Sequence, residues 1–100
     1  MRVEELEIHD EAAAEYDAAF EWYLERSSES AIRFDQEVHR ALSQIVSAPH
    51  SWAPGSKNTR RFLLRRFPFI VVYRELTQTR LQVLPFAHCS RNPGYWMGRL

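Results

Sequence analysis

The chain has 100 residues, of which 45% are hydrophobic and 26% charged, and its formal net charge is zero. This composition excludes a disordered chain and predicts a single compact domain over residues 1–100. No apolar run approaches the roughly 18 residues of a membrane span, and the acidic first five residues lack a signal segment, so we expect a cytoplasmic protein without membrane contact. One cysteine excludes an internal disulfide, and nothing in the sequence indicates a metal site or a cofactor.

The two halves of the chain carry opposite charge. Residues 1–50 contain four arginines and twelve acidic residues, whereas residues 51–100 contain nine basic residues and one acid, Glu75. Such asymmetry is typical of a protein with a polyanionic partner, and it also arises where two halves attract each other in the folded state. Charge alone leaves both interpretations open.

A short strand and two amphipathic helices are predicted in the first half. Residues 3–8 alternate partly between polar and apolar side chains, and Asp10 is the expected N-cap of the helix that follows. The apolar stripe of this helix consists of Tyr16, Phe20, Tyr23 and Leu24. After a serine-rich break at residues 26–30, a second stripe consists of Ala31, Phe34, Val38, Leu42 and Ile45, and Pro49 ends the helix. So short a break predicts an antiparallel helical hairpin whose stripes form the core.

The second half reads as a loop followed by three strands. Residues 49–59 have loop composition, after which strands are predicted over 60–66, 69–75 and 80–87 as an antiparallel meander. The element order β-α-α-β-β-β predicts an α+β fold, in which the helical hairpin packs on a small antiparallel sheet. Arg61, Leu63 and Arg65 share one side of the first of these strands, so the sheet is expected to expose positive charge.

Several segments of the sequence resemble the RelE/ParE superfamily of bacterial toxins. They are the opening strand followed by Ala12-x-x-Glu15-Tyr16 and Trp22-Tyr23, the pair Arg33-Phe34, the stretch RFLLRRFPFIVVYR over residues 61–74, and the ending HCSRNPGYW over residues 88–96. The resemblance covers nearly the whole chain. It implies the toxin of a type II toxin–antitoxin pair, with a helical hairpin on a twisted antiparallel sheet.

The ribonuclease branch of this superfamily implies one set of candidate catalytic residues. Its members cleave mRNA in the ribosome by making a ribose 2′-OH attack the neighbouring phosphate, which requires a proton acceptor, a proton donor and cations. By resemblance, His88 would be the general acid or base, and Tyr95 a second proton carrier or a stacking surface. The full set for an endoribonuclease would be Arg65, Arg74, His88, Arg91 and Tyr95.

One departure favours the gyrase-directed branch instead. The ribonuclease prototype has an arginine at the entry to the second meander strand, where this chain has Phe69 and Ile70. The apolar phrase that follows is more similar to toxins that act on DNA gyrase through protein–protein contact. The leading prediction is therefore a toxin directed at gyrase, the alternative is a ribosome-dependent mRNA endoribonuclease, and a third possibility is a non-toxic interaction module.

The residues at the C-terminal end also have simpler interpretations. His88 can serve only as a hydrogen-bonding group at the sheet edge. Tyr95 and Trp96 can pin the C-terminus to the core, because large aromatic side chains bury much surface.

A cognate antitoxin is the implied partner, and DNA would be contacted only through it. Antitoxin segments that fold on their toxin bind through apolar anchors and added strands. The predicted contact residues are an apolar seam of Tyr16, Phe20 and Phe34 and a basic surface that includes Arg61 and Arg65. An acidic, amphipathic antitoxin segment would suit that basic surface.

Overall fold

The computed structural model describes all 100 residues and places two helices against one five-stranded sheet. The helices and strands in chain order are β1 (Glu5–Ile8), α1 (Asp10–Arg26), α2 (Ser28–Ser47), β2 (Ala53–Pro54), β3 (Thr59–Leu63), β4 (Phe69–Glu75) and β5 (Arg80–His88), with 3₁₀ turns at Ser56–Asn58 and Met97–Arg99. The predicted α+β fold class and helical hairpin are confirmed. Neither helix combines the length and the hydropathy that crossing a membrane requires.

The start of α1 differs from the prediction by one residue. His9, rather than Asp10, is the N-cap, and its Nδ1 accepts a hydrogen bond from the Glu11 N–H at 3.1 Å. Asp10 is the first helical residue, where its carboxylate still lies at the positive end of the helix dipole. Ser27 ends α1 and caps α2, accepting a hydrogen bond from the Ser30 N–H at 3.2 Å. The helices are therefore joined by a single residue.

The sheet is mixed, whereas the sequence predicted antiparallel pairing alone. Its strand order is β1-β5-β4-β3-β2, and β1 pairs with β5 in parallel while all other pairs are antiparallel. The helical hairpin and the meander together form the long connection that a parallel pair needs. β3 ends at Leu63 instead of residue 66, and the predicted loop contains the two-residue strand β2.

The main core lies between the helical hairpin and the sheet, with Phe34 at its centre. Phe34 is 0% exposed, and its ring contacts Tyr16, Tyr23, Phe67 and Phe69 with centroid distances between 5.1 and 5.7 Å. These are favourable separations for aromatic pairs. Apart from Leu24, which is 47% exposed, the residues of the predicted helical stripes therefore belong to the core.

β5 contains a bulge shortly before the C-terminal segment. Val83 pairs with Tyr73 and Phe86 with Val71, so β5 has one residue more than β4 between these pairs. Pro85, which has no N–H for the ladder, lies in this bulge. β1 pairs with β5 only as far as Val83, and beyond that point the Phe86 N–H donates to the Glu15 carboxylate at 3.2 Å.

Candidate functional site at the C-terminal segment

The last twelve residues fold back onto the sheet instead of leaving it. After β5, turn hydrogen bonds join the Arg91 N–H to the His88 carbonyl at 3.0 Å and the Tyr95 N–H to the Asn92 carbonyl at 3.3 Å. Trp96 is 8% exposed and packs with Val72 and Leu84 on the face opposite the helices. This apolar packing agrees with the simpler interpretation, in which the aromatic residues pin the C-terminus.

A carboxylate on α1 holds this segment in place. The Arg99 guanidinium donates to both Glu15 oxygens at 2.8 and 3.0 Å, and the Tyr95 hydroxyl donates to Glu15 Oε2 at 2.5 Å. Arg99 Nε also lies 2.8 Å from the Glu11 carboxylate, and Arg99 donates to the Leu84 carbonyl at 2.9 Å. We call Glu11, Glu15, Tyr95 and Arg99 the C-terminal clamp.

The clamp was not predicted from the sequence, although α1 contains a signal for it. Glu15 follows Ala12 by three residues and precedes Ala19 by four, and both alanines are buried. That spacing places a carboxylate on the apolar face of the helix. A buried carboxylate requires a cation or several donors, so a partner was predictable but its identity was not.

The clamp perturbs the pKa values of Glu15, Tyr95 and Arg99. Burial by itself raises the pKa of Glu15, but the hydrogen bonds from Arg99 and Tyr95 outweigh it, so this pKa lies below its ordinary value. Burial and the hydrogen bond to Glu15 raise the pKa of the Tyr95 hydroxyl to about 12. The pKa of Arg99 is raised, chiefly by its hydrogen bonds to Glu15. The clamp thus holds an ionised carboxylate against a protonated phenol and a permanent cation.

An open groove of about 470 Å³ lies between α1 and the C-terminal segment. We call it the C-terminal groove; most of its lining is apolar, and it is formed by Glu15, Ala18, Ala19, Trp22, Tyr23, Pro68, Phe69, Phe86, His88, Arg91 and Tyr95. Trp22 is 51% exposed, and the Arg26 guanidinium lies 3.4 Å from its ring centroid. A mostly apolar groove with a few polar groups is the usual form of a binding site.

His88 lies at the rim of this groove without an acidic partner. Its Nδ1 accepts a hydrogen bond from the Ser90 N–H at 3.0 Å and lies 2.7 Å from the Ser90 hydroxyl, while its ring meets the edge of Phe69 at 5.2 Å. No carboxylate lies within hydrogen-bonding distance of the imidazole. His88 therefore lacks the group that commonly orients a catalytic histidine.

A second, smaller cleft lies on the sheet face opposite the helices. It has a volume of about 270 Å³, and Arg61, His88, Arg91 and Tyr95 all contribute to its wall. The Arg91 guanidinium lies 3.9 Å from the centroid of the Tyr95 ring. Three of the five candidate catalytic residues are thus brought together, with Arg61 as an additional cation.

The other two candidate catalytic residues do not line this cleft. Arg74 Nε donates to the Gln82 side-chain carbonyl at 3.0 Å, within a polar network across β4, β5 and β1. Arg65 follows β3 and lines a groove beside α2. Neither lines the cleft with His88. β3 ends at Leu63, before Arg65, although Arg65 still lines a separate groove together with Arg61 and Leu63.

The predicted apolar seam for a partner also needs correction. Phe34 is completely buried, and Tyr16 and Phe20 are partly buried with their rings packed into the core. The Tyr16 hydroxyl donates to Asp35, which ties α1 to α2. The exposed apolar side chains of the two helices are instead Trp22, Leu24 and Ile32. In this conformation Phe34 offers no surface to a partner.

Of the comparisons with known proteins, one identifies a family and another a shared fold. A family model described as the ParE toxin of the type II toxin–antitoxin system, parDE, matches residues 6–93. A solved structure titled "Chromosomal ParDE TA system from P. aeruginosa" aligns with a TM-score of 0.72 at 22% identity, covering 88% of this chain and 98% of that chain. At this identity the structural likeness concerns the fold. No curated protein sequence matches the chain.

Proposed function

Because this chain belongs to the ParE toxin family of type II toxin–antitoxin systems, we propose that it is a growth-arresting toxin that acts on DNA gyrase in the cytoplasm and is neutralised by an antitoxin. The C-terminal groove is the proposed contact surface for gyrase. The observation that carries this proposal is the half-exposed Trp22 beside Arg91 and His88 in a groove with apolar walls. Exposed tryptophan and arginine are the side chains that most often anchor protein–protein interfaces.

The state of the candidate proton carriers supports contact rather than catalysis. The Tyr95 hydroxyl already donates to Glu15, and its pKa of about 12 makes it a poor proton carrier near neutral pH. His88 has no carboxylate partner, and Arg65 and Arg74 lie outside its cleft. The endoribonuclease remains a second candidate because the cleft combines Arg61, Arg91 and His88, which could still bind phosphate.

Induction of the protein in cells separates the two candidate functions. We expect growth arrest with DNA damage and continued translation, and we expect the purified toxin to inhibit supercoiling by gyrase. The variant His88→Ala should retain both effects to within about threefold, because a contact surface with several anchors does not depend on one rim histidine. Growth assays, translation assays and a supercoiling assay measure these outcomes. Arrest of translation with mRNA cuts that His88→Ala abolishes would instead establish the ribonuclease.

The antitoxin is proposed to place an acidic, amphipathic segment along the basic surface that includes Arg61 and Arg65. Both arginines line an open groove with the exposed Leu63 and with Trp52 and Phe62. Arg61 also lines the cleft of His88 and Arg91. A segment that lies on Arg61 would therefore reach the residues at the rim of the C-terminal groove and could cover them.

The rate of association between toxin and antitoxin tests this placement. It should be fast at low salt and fall by about 10-fold or more as salt rises, because charges at the rim of an interface mainly set the on-rate. The double variant Arg61→Gln/Arg65→Gln should flatten this dependence and keep the apolar part of the affinity. Stopped-flow fluorescence measures the rate. Arg2→Gln/Arg26→Gln, which removes the same charge from residues that line none of the grooves of Arg61 and Arg65, is the matched control, and an unchanged salt slope in the first variant would contradict the placement.

A further inference from the structure

Four arginines surround one groove on the side of the molecule where α2 meets the connection between β3 and β4. Arg33 and Arg40 belong to α2, and Arg65 and Arg66 belong to the connection. The groove has a volume of about 460 Å³. We call these four residues the arginine cluster. None of them lines the C-terminal groove.

The carboxylates near the cluster neutralise it only in part. Glu37 lines the groove, but both its oxygens accept from the Arg66 backbone N–H, at 3.1 and 3.3 Å, and so hold the connection against α2. Arg33 pairs with Glu29 at 2.6 Å, but both side chains are more than 60% exposed, and such pairs contribute little. The guanidinium groups of Arg40, Arg65 and Arg66 make no salt bridge within the chain.

The groove lining favours a phosphate backbone over a protein segment. Phe67 is its one apolar residue, and that ring packs against Tyr23 and Phe34, with centroids 5.0 and 5.4 Å away. A bound peptide would find no pocket for an apolar anchor, and a single-stranded nucleic acid would find no free aromatic surface for stacking. Guanidinium groups pair well with phosphates, and Arg33 and Arg40 start about 10 Å apart along α2. We propose that the arginine cluster binds the phosphate backbone of duplex DNA, independently of sequence.

The toxin itself would then contact DNA directly, whereas the sequence predicted contact with DNA only through the antitoxin. This proposal does not depend on gyrase inhibition or on growth arrest. It shares Arg65 with the proposed antitoxin surface, so the variant that tests it leaves Arg65 in place, and the two proposals can fail or succeed separately. Binding through phosphates is weak and strongly dependent on salt, and log K falls with log salt concentration by about 0.9 per phosphate contacted. Three or four contacts predict a slope near −3.

Fluorescence anisotropy of a labelled 20-base-pair duplex of arbitrary sequence, titrated with the purified full chain, tests the proposal. We expect measurable binding at about 50 mM salt that weakens by about 60-fold at about 200 mM. The variant Arg40→Gln/Arg66→Gln should weaken binding about 10-fold or more at low salt and reduce the slope by about two. The control Arg2→Gln/Arg26→Gln removes the same net charge from elsewhere and should change the slope by less than one. Circular dichroism and thermal melting verify that both variants are folded.

Three results would overturn the proposal. The first is that the wild-type chain does not bind the duplex at low salt, and the second is that both variants lose DNA affinity equally. The third is that a glutamate-rich peptide binds more tightly than the duplex, with the same dependence on Arg40 and Arg66. The first two would exclude a DNA site at the cluster. The third would assign the cluster to an acidic protein segment.

Discussion

Arg99→Ala is expected to lower the free energy of unfolding by about 3 kcal/mol, because it removes the cation that pairs with a largely buried carboxylate. The Glu15 side chain is 18% exposed and that of Arg99 11%. Without Arg99, Glu15 keeps only the hydrogen bonds from Tyr95 and the Phe86 N–H. Urea unfolding followed by tryptophan fluorescence measures the change, and loss of order in the last six residues should accompany it.

Arg91→Ala is the matched control for this prediction. Arg91 also lies over the Tyr95 ring, at 3.9 Å, but it is exposed and makes no salt bridge. A contact of this kind contributes about 0.5–1 kcal/mol. Equal losses of stability in Arg91→Ala and Arg99→Ala would show that the clamp carboxylate contributes nothing beyond stacking.

The dependence of stability on pH provides a second measurement of the clamp. The folded state lowers the pKa of Glu15, so this residue stabilises the fold above its ordinary pKa of about 4.3 and loses that contribution as pH falls through the lowered value. The variant Glu15→Gln should be less stable at neutral pH and should lose less stability on acidification. An acid-side slope identical to that of the wild type would place the acid sensitivity in other carboxylates.

The local elements were predictable because each depends on signals within one stretch of sequence. The apolar period of α2 and the serine break before it predicted the helical hairpin, and β4 occupies residues 69–75 as predicted. The parallel pairing of β1 with β5 was not predictable from these signals. It joins residues such as Glu5 and Arg80, and strand composition does not fix the direction in which distant strands pair.

The candidate site was predictable only in part, for the same reason. His88, Arg91 and Tyr95 meet because they are close in sequence: His88 ends β5, and the other two lie on the folded-back segment that follows it. Glu15 and Arg99 are 84 positions apart, and only the tertiary fold brings them together. The family match confirms the resemblance seen in the sequence motifs. It did not show which aromatic residues hold the C-terminus against the core and which contact a partner.

The apolar anchor of the C-terminal groove should dominate the toxicity. Trp22→Ala is expected to weaken gyrase inhibition by about 30-fold or more, because truncating a central tryptophan of an interface costs about 2 kcal/mol or more. The stability of the fold should change by about 1 kcal/mol or less, since Trp22 is 51% exposed and lies outside the main core. The concentration that halves supercoiling activity, and growth at matched expression, measure the effect.

Leu24→Ala is the control that separates the loss of the groove anchor from the loss of any exposed apolar side chain on α1. Leu24 lies on the same helix and is 47% exposed, but it does not line the C-terminal groove. The Leu24→Ala variant should retain inhibition and growth arrest to within about twofold, because a substitution on the surface outside the interface has little effect. Arg91→Gln, which removes the groove's exposed guanidinium without touching α1, should fall between the two variants, since an arginine beside the anchor contributes less than the anchor itself. Equal inhibition by the Trp22 and Leu24 variants would place the gyrase contact elsewhere, and the cleft beside Arg61 would become the surface to test.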